Sequence, residues 1–117
     1  MVEARIVLGS VFAPPEDAVT RLLVTRGWPR GIVRGAVDQW EPQLGVAPEL
    51  LDALARGAID RDALAEAYRA QLTSRPRLLE WAARMATNNG VALLCASHPG
   101  AGCHCGLLAD LLRERIG

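Results

Sequence analysis

All three cysteines and both histidines of this chain fall in one run, CASHPGAGCHC, from Cys95 to Cys105. Thiolate and imidazole are the ligands Zn²⁺ prefers, and Cys95, His98, Cys103, His104 and Cys105 offer enough of them to close a tetrahedral site. The spacing is not that of a zinc finger, and adjacent Cys-His-Cys side chains at a helix start point in different directions. The same residues admit a second chemistry. Cys103 or Cys105 would serve as a nucleophile or redox-sensing thiol if a helix N-terminus and His104 or His98 stabilised its thiolate. A tyrosine-phosphatase-like loop would need Arg six residues after the cysteine. Those positions hold Ala101, Ala109 and Leu111, which excludes that form. The plain alternative is structural, because an unoxidised Cys such as Cys95 also behaves as a small hydrophobe.

A second constellation is Arg26-Gly27-Trp28-Pro29-Arg30-Gly31. Two guanidinium forks flanking an indole suit a phosphate or carboxylate, and the indole suits a planar group. The structural alternative has Trp28 anchoring the loop in the core while Arg26 and Arg30 bond to carbonyl groups of the turn. Trp40 and Trp81 read as core or helix-packing residues.

Several elements must position these groups. Val91 to Cys95 is a continuous apolar run, the pattern of a strand covered on both faces. Asn88, Asn89 and Gly90 before it are turn formers. After the Gly/Pro loop, Leu107, Leu108, Leu111, Leu112 and Ile116 recur at helical spacing, so Cys103, His104 and Cys105 fall at the start of a final helix. The crevice beyond a strand's carboxyl end is the usual ligand site in an open α/β sheet. Upstream, Arg5–Gly9 and Val19–Thr25 are strand candidates, separated by the loop holding Pro14 and Pro15. Val37–Trp40 suggests one short helical turn. Pro48, Asp60 and Pro76 open three helices, the first stopping at Arg56-Gly57 and the third carrying a Glu80–Arg84 pair. The fold class expected is α/β, a small, mainly parallel sheet of about three to four strands with several helices packed on it, as one domain over 1–117.

Composition narrows the function. The formal net charge is zero and no basic run stands out, so a nucleic-acid footprint is not expected. All 13 basic residues are arginine. No apolar stretch is long enough for a membrane span, and MVEARIV lacks a signal-peptide layout. An odd number of cysteines without such a signal reads as reduced thiols in a cytoplasm.

The segment LLVTRGWPRG (Leu22–Gly31) resembles the LVDRLWPRG signature of the YeaO-like branch of the bacterial domain-of-unknown-function family 488. The similarity runs along nearly the whole chain. Arg5 and Val11-Phe12-Ala13-Pro14-Pro15 are similar to the family's opening strand and V-Y-x-P-P loop. Trp40, Leu44 and Ala47-Pro48-Glu49-Leu50 resemble its W-x-x-x-L-A-P-x-x-L stretch, and Glu66–Leu72 its Y-x-x-x-L helix. Val91–Cys95 resembles its V-T-L-L-Y/C strand, and Cys103-His104 the pair that opens its last helix. The resemblance implies an α/β fold and a bacterial cytosolic protein, and brings no reaction with it. Thr25 stands where the family usually has Asp, which removes an acid partner for Arg26. Cys105 stands where one branch has Arg, which removes an anion ligand.

Together these readings point to a small anionic ligand, a nucleotide or phosphorylated metabolite. Arg26, Trp28, Arg30, His98 and His104 would hold it, between the Arg26–Gly31 and His98–Cys105 loops. The competing expectations are a metal-binding or redox-sensing thiol protein using the Cys/His cluster, with accessible Cys103 and Cys105, and a non-catalytic interaction module whose partner is a second copy of the chain.

Overall fold

The structure, a computed structural model, describes residues 5–12, 19–95 and 104–116. Strand β4 (Val91–Cys95) pairs in parallel with β1 (Ile6–Ser10) on one side and β2 (Thr20–Leu23) on the other. β3 (Gln39–Trp40) extends the parallel sheet beyond β2, giving the order β1-β4-β2-β3. All five residues of β4 are buried, as its unbroken apolar run requires.

The strand expected over Val19–Thr25 is shorter, because its carbonyl groups find other partners past Leu23. Val24 still donates its N–H to the Leu94 carbonyl at 3.1 Å, after which the backbone leaves the ladder. The helical turn expected at Val37–Trp40 is instead β3, preceded by a 3-10 turn at Arg34–Ala36. The exposed edge of β2 captures this segment. Asp38 N–H donates to the Arg21 carbonyl at 2.9 Å, the Asp38 carboxylate accepts from Arg21 N–H at 2.8 Å, and Glu41 N–H donates to the Leu23 carbonyl at 3.0 Å.

The helices start where local chemistry favours it. Pro48 opens α1 (Pro48–Ala55) and Pro76 opens α3 (Pro76–Asn88), each spending its missing donor where the helix has no internal acceptor. Asp60 caps α2 (Arg61–Thr73) by accepting from Ala63 N–H at 2.8 Å. α3 ends in a turn at Gly90, whose φ of 85° is left-handed. A Cβ there would come within 3.0 Å of Val19 and 3.1 Å of Arg5, so both conformation and space select glycine. The last helix, α4, spans His104–Ile116. Among the described residues Glu80 meets Arg115 of α4, at 3.9 Å, rather than Arg84. No described helix is long and apolar enough to cross a membrane.

The two faces of the sheet are covered differently. Leu22, Val24, Val91, Leu93 and Cys95 pack under the apolar sides of α2, α3 and α4, including Tyr68, Leu72, Leu79, Ala82, Leu108 and Leu112. On the opposite face Val11, Leu23, Ala92 and Leu94 are covered by Trp28, Ile32 and Val37, from the connection between β2 and β3.

Candidate functional site

Because every strand pair is parallel, the described loops after β1, β2 and β3 leave from one edge, the carboxyl edge of β4. Two of the sequence-selected groups lie at that edge. The first is the loop following Val24. The second is His104, the first residue of α4, whose Nε2 lies 2.7 Å from the Val24 carbonyl oxygen. A carbonyl only accepts, so Nε2 carries the hydrogen and Nδ1 the lone pair of the neutral ring. Burial lowers the His104 pKa below its ordinary value, against a smaller opposing pull from the bond to Val24. The ring edge also packs against Tyr68, with centroids 5.7 Å apart and planes at 84°. His104 is therefore an oriented imidazole whose neutral form is favoured by its burial.

The Arg26–Gly31 loop is fastened mainly through its own side chains and those of its neighbours. Trp28 is half-buried against the sheet, and its Nε1–H donates to the Ile32 carbonyl at 2.9 Å. Thr25, the departure from the family's Asp, donates its hydroxyl to the Gly27 carbonyl at 2.7 Å. Arg26 donates Nε–H to the Gly45 carbonyl at 3.3 Å, and the structural alternative read from the sequence applies to that atom. Gly45 lies so close that a Cβ there would sit 2.8 Å from the Arg26 backbone nitrogen. The Gly45 turn is held in turn by α2. Gln71 donates to the Gly45 carbonyl at 2.9 Å and accepts from Ala47 N–H at 3.0 Å, and the Tyr68 hydroxyl donates to the Leu44 carbonyl. Arg30 is exposed, and makes no hydrogen bond or ion pair with another described residue.

One participant escapes the sequence reading. Trp40, expected in the core, is 41% exposed on the edge strand β3. Its Nε1–H donates to the Thr25 carbonyl at 2.7 Å, and its ring meets Trp28 edge-on, with centroids 5.4 Å apart and planes at 70°. The available signal was its place two residues after Asp38, beside a loop rich in glycine, rather than on any apolar stripe.

The cysteine cluster divides differently. Cys95 ends β4 with 2% exposure and its Sγ 3.7 Å from the Gly9 carbonyl oxygen. Cys105 is fully buried in the helix-covered core, where the position takes a small apolar group rather than the Arg of one family branch. His98 and Cys103 lie outside the described residues. Among the described residues no group of three or more His, Cys, Asp or Glu side chains is placed to hold a metal ion.

Residues 8–116 match the family model described as the "Active DUF488-N3 subclade". This chain belongs to the DUF488 family. The "Uncharacterized protein YeaO" of Escherichia coli (strain K12) is 32% identical over 107 residues, covering 89% of this chain and 93% of that protein. No solved structure matches the chain. The WPRG motif that marks the DUF488 resemblance is the segment whose indole packs on the face of the sheet opposite α2, α3 and α4.

Proposed function

We propose that this DUF488 protein binds a small anionic ligand, a nucleotide or phosphorylated metabolite, at the carboxyl edge of its sheet. The ligand would lie between the Arg26–Gly31 loop and the N-terminal end of α4. The observation that carries the reading is the 2.7 Å contact between His104 Nε2 and the Val24 carbonyl. It fastens the start of α4 to the residue from which the arginine loop departs. Arg30 supplies an exposed guanidinium, and the first turn of α4 supplies the positive end of a helix dipole. His104 acts as a positioning residue, since its Nε2–H is already committed to the backbone.

The burial of Cys95 and Cys105 argues against a thiol chemistry that uses either of them, because a reactive thiolate needs an accessible, electropositive setting. A zinc site would have to draw on His98 and Cys103.

Calorimetric titration with ribose phosphate tests the reading. Arg30→Ala is expected to weaken binding about tenfold, the ordinary loss for one charge-assisted hydrogen bond. His104→Ala is expected to weaken the same probe, and His104→Gln, which keeps a donor at similar reach, to restore much of it. Absence of binding by the parent protein, or effects of the two variants on different anions, would sink the shared site.

A further inference from the structure

Trp28 and Trp40 touch, but they are presented differently. Trp28 packs on Leu23, Ala92 and their neighbours and meets Trp40 edge-on, so its ring is largely spent on the fold. Trp40 sits on the terminal strand of the sheet with 41% of its surface exposed. Its orientation is nevertheless fixed at two points, by the hydrogen bond to the Thr25 carbonyl and by the contact with Trp28. The other large exposed apolar residues among those described differ in kind. Val33, Leu51 and Leu107 are aliphatic, and Phe12 has no polar atom to hold its ring. A side chain needed only to brace Thr25 gains nothing by leaving so much indole in water.

The backbone carbonyl that Trp40 grips immediately precedes Arg26, and Arg30 follows Trp28 by two residues. An oriented indole on β3 thus braces the start of the segment that carries exposed Arg30 and Arg26, the latter already donating Nε–H to the Gly45 carbonyl. An indole held in place stacks a planar ring at little ordering cost, and every nucleobase has a π-face to offer. We propose that Trp40 is the stacking surface for the base of a nucleoside monophosphate, whose phosphate Arg30 and Arg26 attract. This deepens the anion-site reading and rests on it for the phosphate, while the stacking part stands on Trp40 alone.

The test compares adenosine monophosphate, adenosine and ribose phosphate by calorimetric titration of the parent protein, Trp40→Phe and Trp40→Leu. The nucleotide is expected to bind about tenfold more tightly than ribose phosphate, a typical gain for one stacked base. Trp40→Phe should keep most of that gain. Trp40→Leu should abolish it, and its affinity for ribose phosphate should equal that of Trp40→Phe, because both variants lose the bond to Thr25. If Trp40→Leu fails to fold, the indole N–H resonances of the parent decide. The Trp40 signal should move with adenosine monophosphate and stay with ribose phosphate. Equal affinity for nucleotide and ribose phosphate, or a base-dependent gain that survives Trp40→Leu, overturns the proposal and leaves the anion site intact. Binding of adenosine that depends on Trp40, without binding of ribose phosphate, overturns the anion site and leaves the stacking surface.

Discussion

The helical layer over the sheet and the loops at its carboxyl edge are held by different forces. Under α2, α3 and α4 the contacts are mainly between apolar groups, with Leu22, Tyr68, Leu93, Leu108 and Leu112 fully buried. From Val24 to Ala47, beyond the backbone pairing of β3 and the packing of Trp28, the chain is fixed by side chains reaching backbone groups: Trp40 to Thr25, His104 to Val24, Arg26 and Gln71 to Gly45, Tyr68 to Leu44. Apolar burial is non-directional and scales with area, so it fixes that a layer packs more firmly than where each atom goes. Hydrogen bonds to carbonyl groups are modest in net energy but directional, and they fix position. The contrast teaches that stability and site geometry are carried by largely separate residues here, which makes the two separable by mutation.

The largest effect should come from the helical layer. Leu93→Ala leaves a cavity in the central strand and is expected to cost about 3 kcal/mol in denaturant-induced unfolding. A loss well below 1 kcal/mol would show that this layer can collapse around the gap. Gly45→Ala should come next, at about 2 kcal/mol, because its methyl group would meet the Arg26 backbone rather than a movable side chain. Amide exchange should show the loss concentrated between Val24 and Val46. Uniform exchange over α2 and α3 would mean the two regions are one cooperative unit. Trp28→Phe keeps a ring on the sheet and deletes the donor to Ile32, for about 1 kcal/mol.

His104 joins the two regions and gives them a pH dependence. Its folded pKa lies below the unfolded value, so between the two the unfolded chain holds the extra proton and stability rises with pH. The contribution is complete above the ordinary histidine range and is lost as pH falls towards the folded value. Thermal unfolding followed from about pH 7.5 to about pH 5.5 should show a decline that His104→Gln reduces. An identical decline in both proteins would assign it elsewhere. The smallest effect belongs to the Arg69–Glu114 pair between α2 and α4, bidentate at 3.0 and 2.6 Å yet open to water. Their hydrogen bond raises the arginine pKa and lowers that of the carboxyl. Arg69→Ala should change the unfolding midpoint only in low salt, and added salt should erase the difference.

Legibility in the sequence followed the same division. Pro48, Asp60 and Pro76 marked three helix starts, and the five apolar residues of β4 marked the buried central strand. β3 was illegible because two residues carry no period. Pairing with β2 created it, through the backbone of Asp38 and Glu41. At the candidate site the Arg26–Gly31 loop and His104 were singled out by residue type, but the bond between His104 and Val24 needs the tertiary fold. Trp40 was misjudged because an indole is apolar enough for a core, and only the sheet order reveals that β3 lies at an edge. Cys105 had the opposite fate: its residue type suggested a reactive thiol, and its burial was not legible.

The sheet order also bears on how the chain acquires its structure. β1 and β2 come early in sequence, yet they do not pair with each other: Ile6 and Thr20 both wait for Val91. Local turns of α2 and α3 form without it. A nascent chain leaving the ribosome would therefore carry two apolar segments, each with an unpaired backbone edge, until the strand that belongs between them has been synthesised. Such long-range closure slows folding and prolongs exposure to wrong partners.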